Sequence, residues 1–130
     1  MVKHTIFVRV DSGYDIGFGH AIRCLSLAQT LKKMNFEICF ISKKERGNIS
    51  KLFVDKGFTV YYIQNSYSKS KKNDIIKNDI NQTVKIITKH KAKSSWIIVD
   101  HYDLDFKWEK SLRKSVDKII VIDDLARKHD

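Results

Sequence analysis

The stretch Asp11–His20 (DSGYDIGFGH) carries the residue types that most clearly suggest chemistry. It follows an apolar run, precedes a helix-like run, holds three of the chain's five glycines and ends on a histidine. Gly17 and Gly19 would let the backbone turn sharply and approach a ligand without interference from a Cβ atom. The N-terminus of the following helix would offer unpaired N–H groups to an anion. These features favour a ligand-binding loop, with a plain strand-to-helix turn as the alternative.

His20, at the start of the predicted helix, is the candidate catalytic residue. The positive end of the helix dipole favours the neutral imidazole, which can accept a proton. The alternative is that His20 only caps the helix. Asp11 could orient His20, bind a sugar hydroxyl or cap the turn. Arg23 lies about one helical turn beyond His20 and could reach a phosphate or a carboxylate, or simply be exposed.

The spacing of this loop excludes two common nucleotide-binding motifs. The run reads G-x-G-H, and Ile22 stands where the dinucleotide fingerprint G-x-G-x-x-G needs its third glycine. The chain also has no Gly-Lys-Ser/Thr triplet, the signature of a P-loop. Ordinary dinucleotide binding and P-loop chemistry are therefore not expected.

Two later segments also carry polar residues directly after apolar runs. Asp100, His101 and Tyr102 follow one run, and Asp123 and Asp124 follow another. Neighbouring Asp and His residues suggest a metal site, which would need a third ligand from near the C-terminus. Hydrogen bonding of His101 or Tyr102 to a substrate is the favoured interpretation, because no spacing here demands a metal or a cofactor.

The charge balance suggests a nucleic-acid partner at first sight. The formal net charge is +10, from 25 Lys and Arg against 15 Asp and Glu. Twenty of the 25 are lysine, whereas base-edge and bidentate phosphate recognition favour arginine. The lysines are scattered, and aromatic residues do not alternate with them as in single-strand binders. We therefore expect no nucleic-acid partner and interpret the lysines as a solvated surface that helps with anionic ligands.

Length and composition predict a single cytoplasmic domain over residues 1–130. A chain of this length can bury a core without disulfides. Cys24 and Cys39 both lie in apolar segments and are expected to be reduced, buried thiols. The apolar runs are too short to span a membrane, and no signal peptide is recognisable, so we expect no membrane partner.

Strand-like and helix-like runs alternate along the chain. Strands are predicted at 4–10, 36–41, 58–63, 95–99 and 118–122, and helices at 20–34, 48–56, 74–91 and 105–115, with a loop at 64–73. This alternation predicts an α/β fold, a parallel five-stranded sheet with helices on both faces. Such sheets bind ligands outside the carboxyl ends of their strands. The three polar segments follow predicted strands, so we expect them to converge at one edge.

Three separated motifs occur together, in the same order, in a known family. The first runs from RVDSG at 9–13 through IGFGH at 16–20 to RCL at 23–25 and LA at 27–28. The others are IVDHY at 98–102 and IDDLA at 122–126. Together they resemble the nucleotide-sugar hydrolases of the pseudaminic-acid pathway, which act on UDP-2,4-diacetamido-2,4,6-trideoxy-β-L-altropyranose. Spore-coat polysaccharide proteins are similar, and lipid-intermediate glycosyltransferases share a related first loop.

The resemblance implies two Rossmann-like domains facing each other across a cleft, the GT-B arrangement, with this chain matching the N-terminal one. The missing C-terminal domain supplies most of the UDP contacts in that family and is an expected partner. The implied reaction is attack of water on the anomeric carbon of the UDP-sugar, with UDP leaving. His20 matches the residue that acts on the water. The other residues expected at the substrate are Asp11, Gly17, Gly19, Arg23, His101 and Tyr102.

Two other functions remain open at this point. The acceptor-side domain of a GT-B glycosyltransferase would keep the fold, bind a second sugar or a lipid and expose an apolar patch near the first loop. A non-catalytic basic binding module would keep its function when His20 is replaced, and salt-sensitive binding to nucleic acid would support it.

Overall fold

The predicted alternation of strands and helices is confirmed. The computed structural model describes residues 4–64, 71–90 and 94–122. In chain order the elements are β1 (Thr5–Val10), α1 (Gly19–Lys33), β2 (Glu37–Lys43), α2 (Ser50–Asp55), β3 (Thr59–Ile63), α3 (Lys72–His90), β4 (Ser95–Asp100), α4 (Phe106–Leu112) and β5 (Lys118–Val121). The result is an α/β, Rossmann-like arrangement.

All five strands join one parallel sheet in the order β3-β2-β1-β4-β5. β1 lies at the centre, between β2 and β4. Its register with β4 places Val10 opposite Asp100, so the two strands end at the same level. The segments that leave these two strands therefore emerge side by side.

Both faces of the sheet are covered, which explains why the strands are almost continuously apolar. Successive residues of β1 point to opposite faces, with Ile6 and Val8 on one and Phe7 on the other. The first face packs against α1 and α2 through a buried set: Ala21, Cys24, Leu25, Ala28 and Phe53. The second packs against α3 and α4 through another: Ile87, Trp108 and Leu112. Helices on both faces were predicted and are confirmed.

Several element boundaries differ from the prediction. α3 begins at Lys72, so the predicted loop at 64–73 is wrong for its last two residues, and residues 65–70 of that loop lie outside the described ranges. Asp74, in the first turn of α3, interacts favourably with the helix dipole and accounts for the earlier start. β2 continues to Lys43, two residues beyond the prediction, and β4 includes Asp100. These two longer strands reach the polar segments at the carboxyl edge.

Two expectations from composition can be compared with the described ranges. Cys24 and Cys39 are both free and buried, as expected. Over those ranges, the helices lack the combination of length and apolar character that a bilayer crossing requires.

Candidate active site

The centre of the sheet is where a ligand crevice is expected. After β1 the chain passes through α1 to β2 on one side, whereas after β4 it passes through α4 to β5 on the other. Because the two connections run in opposite directions, a crevice opens between them above the strand ends. Ligands usually bind in this crevice in sheets of this kind. A cavity of about 230 Å³ lies there. It is lined by Asp11, Asp15, Ile16, His20, Asp100, His101, Tyr102 and Asp103.

The loop after β1 is closed on itself by two glycines. The N–H of Gly17 donates to the carbonyl of Gly13 at 2.8 Å, and the N–H of Gly13 donates to the carbonyl of Gly17 at 3.3 Å. Gly17 has a φ of +90°, which residues with a Cβ rarely adopt. The loop therefore turns sharply, as predicted, and leads into α1 with His20 in its first turn.

His20 is held by a carboxylate from a neighbouring strand. Its Nδ1 atom hydrogen-bonds to Oδ1 of Asp100, the last residue of β4. Because an ionised carboxylate only accepts, Nδ1 carries the proton, and Nε2 is the ring nitrogen able to accept one. The Tyr102 ring packs edge-on against the imidazole, with 4.5 Å between the ring centroids. His20 is thus oriented from two sides while its ring still borders the cavity.

Asp100 is buried and accepts from several side chains. Arg23 donates from Nη2 to Oδ1 at 2.6 Å and from Nε to Oδ2, and the Cys24 thiol lies 3.5 Å from Oδ2. Burial opposes the charged form, but the hydrogen bonds from Arg23 and His20 outweigh it and hold the pKa of Asp100 below its usual range. The carboxylate is therefore ionised at neutral pH and can stabilise a positive charge on His20. Burial, with Asp100 nearby, raises the pKa of the Cys24 thiol, so this cysteine is a poor nucleophile.

A second Asp–His pair lies beside the first. Nε2 of His101 donates to Oδ2 of Asp11 at 2.7 Å, and Nδ1 accepts the backbone N–H of Asp103 at 3.1 Å. Oδ1 of Asp11 also accepts the backbone N–H of Lys43 at 2.8 Å. Arg9 donates to both oxygens, so the roughly four acceptor positions of this carboxylate are filled. This geometry favours a positioning role for Asp11 over direct hydrogen bonding to a sugar.

A fully buried guanidinium links that carboxylate to α3. Arg9 donates to Asp11 at 2.5 and 3.0 Å and to Asp79 at 3.2 and 2.6 Å. Nε1 of Trp108 donates to Asp79 at 2.9 Å, and Nζ of Lys43 lies 3.8 Å from it. Burial opposes ionisation of both carboxyls, but the charge of Arg9 prevails and holds the pKa of each below its usual range. The polar groups beneath the cavity are thus charged, paired and fixed.

A second cavity, of about 270 Å³, adjoins the first. It is lined by Lys43, Lys72, Ile75, Ile76, Asp79, His101, Asp103 and Leu104. His101 and Asp103 line both cavities. Two neighbouring cavities therefore lie at the carboxyl edge of the sheet. His20 lines the first, and two lysines line the second.

Four of the residues predicted from the sequence line the first cavity: Asp11, His20, His101 and Tyr102. The sequence suggested that Asp11 could orient His20, whereas in the structure Asp100 orients it. Among the described residues, no side-chain hydrogen bond caps the N-terminus of α1. The alternative that His20 is merely a helix cap is therefore not supported.

The other predicted residues lie around the cavity or beyond the described ranges. Arg23 holds the carboxylate that orients the catalytic candidate, and its side chain is 40 % exposed. A Cβ atom at Gly17 or Gly19 would meet nothing within 4 Å, so a ligand can approach the backbone there. The acidic pair Asp123 and Asp124 lies outside the described residues.

The sequence did not predict the role of three residues that organise the site. It suggested Asp100 only as a metal ligand, and it gave no prediction of an ion pair between Arg9 and Asp79. Arg9 is the one charged residue inside an otherwise apolar strand, and Asp79 interrupts the apolar face of α3. A charged residue placed among the apolar positions of each element was therefore the available signal for a buried ion pair.

A distant relative matches most of the length of this chain. No protein-family model matches the sequence. An uncharacterized protein of Methanocaldococcus jannaschii is 31% identical over 119 residues, which cover 91% of this chain and 21% of the relative. The chain thus spans about a fifth of the length of this relative.

Proposed function

We propose that this chain forms the sugar-binding half of a nucleotide-sugar hydrolase in which His20 is the general base. The observation that carries the proposal is the pairing of Nδ1 of His20 with Asp100, which leaves Nε2 as the proton acceptor at the cavity. A histidine held in this way can accept a proton from water. The motifs resembling the pseudaminic-acid-pathway hydrolases supply the substrate class, a UDP-linked diacetamido-trideoxy sugar.

In the proposed reaction, Nε2 of His20 removes a proton from water as the water oxygen bonds to the anomeric carbon. The bond from that carbon to the diphosphate oxygen breaks, and its electron pair leaves with UDP. The ionised Asp100 stabilises the imidazolium that forms. The N–H groups at the start of α1, where the described side chains provide no cap, suit the negative charge that develops on the diphosphate.

Exposed apolar side chains near the cavity suit the unusual sugar. Ile16, Phe18 and Tyr102 are all exposed, and Ile16 and Tyr102 line the cavity. The proposed substrate carries a methyl group and two acetamido groups where a common hexose carries hydroxyls. It therefore presents more apolar surface for these side chains to cover.

The test is release of UDP from UDP-2,4-diacetamido-2,4,6-trideoxy-β-L-altropyranose. It is measured in the intact protein, because a second domain is proposed to hold the UDP moiety. His20→Ala should lower kcat/KM by at least ~100-fold, as expected for loss of a general base. His4→Ala removes an exposed histidine at the opposite end of β1 and should keep full activity. An unchanged rate in His20→Ala would exclude this histidine as the base.

Isotopically labelled water separates attack on carbon from attack on phosphorus. In H₂¹⁸O the proposed reaction places the label in the released sugar, because the carbon–oxygen bond breaks. Label in the released UDP instead would mean that water attacks the diphosphate, and this outcome would refute the assigned step.

A glycosyltransferase acceptor domain is the second candidate, and one observation favours it. Around the first loop, Tyr14, Ile16, Phe18, Ile22 and Tyr102 are exposed. Exposed apolar groups of this kind suit a lipid or a second sugar as acceptor. UDP release that requires an added acceptor and does not occur with water alone would identify this activity.

A further inference from the structure

Three side chains of metal-ligand type converge at the end of the sheet opposite the proposed active site. Glu37 and Cys39 lie two residues apart near the start of β2 and so point to the same face, on which α3 packs. His90 is the last residue of α3. Nε2 of His90 contacts Oε1 of Glu37, and Sγ of Cys39 lies 3.9 Å from the same oxygen. The three ligand atoms all lie within 4.8 Å of one another.

We propose that Glu37, Cys39 and His90 bind a Zn²⁺ ion. Thiolate sulfur, imidazole nitrogen and carboxylate oxygen are the donors that Zn²⁺ takes in proteins. Bonds of about 2.0 to 2.3 Å place tetrahedral donor atoms roughly 3.5 Å apart. An ion therefore draws Sγ of Cys39 inward and lengthens the contact between Glu37 and His90, with shifts of about an ångström. The carboxylate and the thiolate supply two negative charges, which balance the ion. Three protein ligands leave the fourth position to water.

The imidazole of His90 is already oriented for this role. The Tyr61 hydroxyl lies 3.3 Å from Nδ1, and the Phe7 ring meets the imidazole edge-on, with 5.4 Å between the centroids. With an ion on Nε2, Nδ1 carries the proton, and this N–H donates a hydrogen bond to the Tyr61 oxygen. Metal-binding histidines nearly always have such an outer partner, which fixes the tautomer and the ring.

An ion can reach the cluster from the side of Glu37. The side chains of Glu37 and His90 are 42% and 19% exposed, whereas Cys39 is buried. Binding replaces the proton of the Cys39 thiol with the sulfur–zinc bond and releases this proton to solvent.

The competing interpretation is an ion pair between Glu37 and His90 at the C-terminus of α3. A protonated histidine there interacts favourably with the helix dipole. An ion pair accounts for two of the three side chains and makes no use of Cys39. A zinc site needs the thiolate, so Cys39 is the residue that separates the two interpretations.

The decisive experiment uses Co²⁺ as a probe of the reduced whole chain, since a thiolate ligand to Co²⁺ produces a charge-transfer absorption in the near ultraviolet. The chain offers a matched control, because it has two cysteines and Cys24 lies at the other end of the sheet, near Asp100. The absorption should appear in the wild type and in Cys24→Ser, vanish in Cys39→Ser and be displaced by Zn²⁺. Its absence from the folded wild type, or its persistence in Cys39→Ser, would overturn the proposal.

Zn²⁺ affinity provides a second readout that does not depend on removing a ligand. Tyr61→Phe keeps all three ligands and should weaken Zn²⁺ binding by about 10- to 100-fold, as loss of an outer partner usually does. Zn²⁺ should also raise the Tm of the wild type and of Cys24→Ser, but not that of His90→Gln. Equal Zn²⁺ affinity and equal Tm shifts in all of these variants would place the ion elsewhere and refute the site.

Discussion

Two Asp–His pairs lie next to each other at the carboxyl edge of the sheet, and they are held differently. In the first, Asp100 is held by an arginine whose side chain is 40 % exposed, and His20 keeps one ring nitrogen for the cavity. In the second, Asp11 is held by a fully buried arginine, and both ring nitrogens of His101 have partners. The two pairs share a composition but not an environment.

The difference separates a group that can react from a group that positions others. A histidine with one nitrogen on a carboxylate and the other at a cavity can take a proton from water. His101 has no such nitrogen left in its present tautomer, and its carboxylate is tied to a buried ion network. This contrast supports the proposal that proton transfer belongs to the first pair, whereas the second pair positions the residues beneath the cavity.

The largest effect is expected from Asp100→Asn. The amide can donate to Nδ1 of His20, so Nε2 would carry the proton and could no longer act as a base. Because this loss acts through His20, UDP release should fall about as far in kcat as in His20→Ala, by at least ~100-fold. Asp11→Asn, measured well below its Tm, should lower kcat far less, and equal losses in the two variants would remove the distinction between the pairs.

The next largest effect concerns stability and the two arginines. Arg9→Met leaves two buried carboxylates without their cation and should lower the free energy of unfolding by about 3 to 5 kcal/mol. Arg23→Met also takes a donor from a buried carboxylate, but Asp100 keeps His20 as a partner, so the cost should be smaller, about 1 to 3 kcal/mol. Urea denaturation of both variants measures the contrast. A loss in Arg23→Met as large as that in Arg9→Met would show that burial does not separate the two pairs.

Acid should weaken the fold through the same carboxyls. The folded-state pKa values of Asp11, Asp79 and Asp100 lie below the ordinary value of 3.8, so near and below that pH the unfolded chain binds more protons. Their stabilisation is complete above about pH 4 and is lost as the pH falls through the folded values. Urea denaturation between pH 2 and about 5 should show this slope, and Asp100→Asn should reduce it. A stability that stays flat over this range would contradict the assigned ion pairs.

The smallest effect is expected at the aromatic contact beside His20. Tyr102→Ala removes an edge-to-face ring contact, of a kind that contributes about 0.5 to 1.5 kcal/mol, and should impair kcat/KM by about 2- to 10-fold. Tyr102→Phe keeps the ring and should recover most of that loss. If the Phe variant is as impaired as the Ala variant, the ring is not what orients His20.

Much of the fold was predictable because each element carries its own local signal. The strands are continuous apolar runs, and α1 shows a helical stripe behind a glycine-rich turn, so the parallel sheet and the loop at Gly17 followed from the residues themselves. The errors are at boundaries, such as the start of α3 at Lys72, because helix ends depend on a few local interactions. The convergence of the first loop with the segment after β4 was predictable from the strand alternation alone.

The sequence by itself determined that polar residues follow β1 and β4 and that a histidine opens α1. Only the tertiary structure decided which carboxylate holds which histidine, because His20 and Asp100 are 80 residues apart and Asp11 and His101 are 90 apart. Local patterns have no information on such pairs, which arise when β1 and β4 align in register and their polar ends meet. The same long-range packing placed Arg9 between two carboxylates and brought Cys39 to His90. It thus put the proposed active site and the proposed zinc site at opposite ends of the sheet.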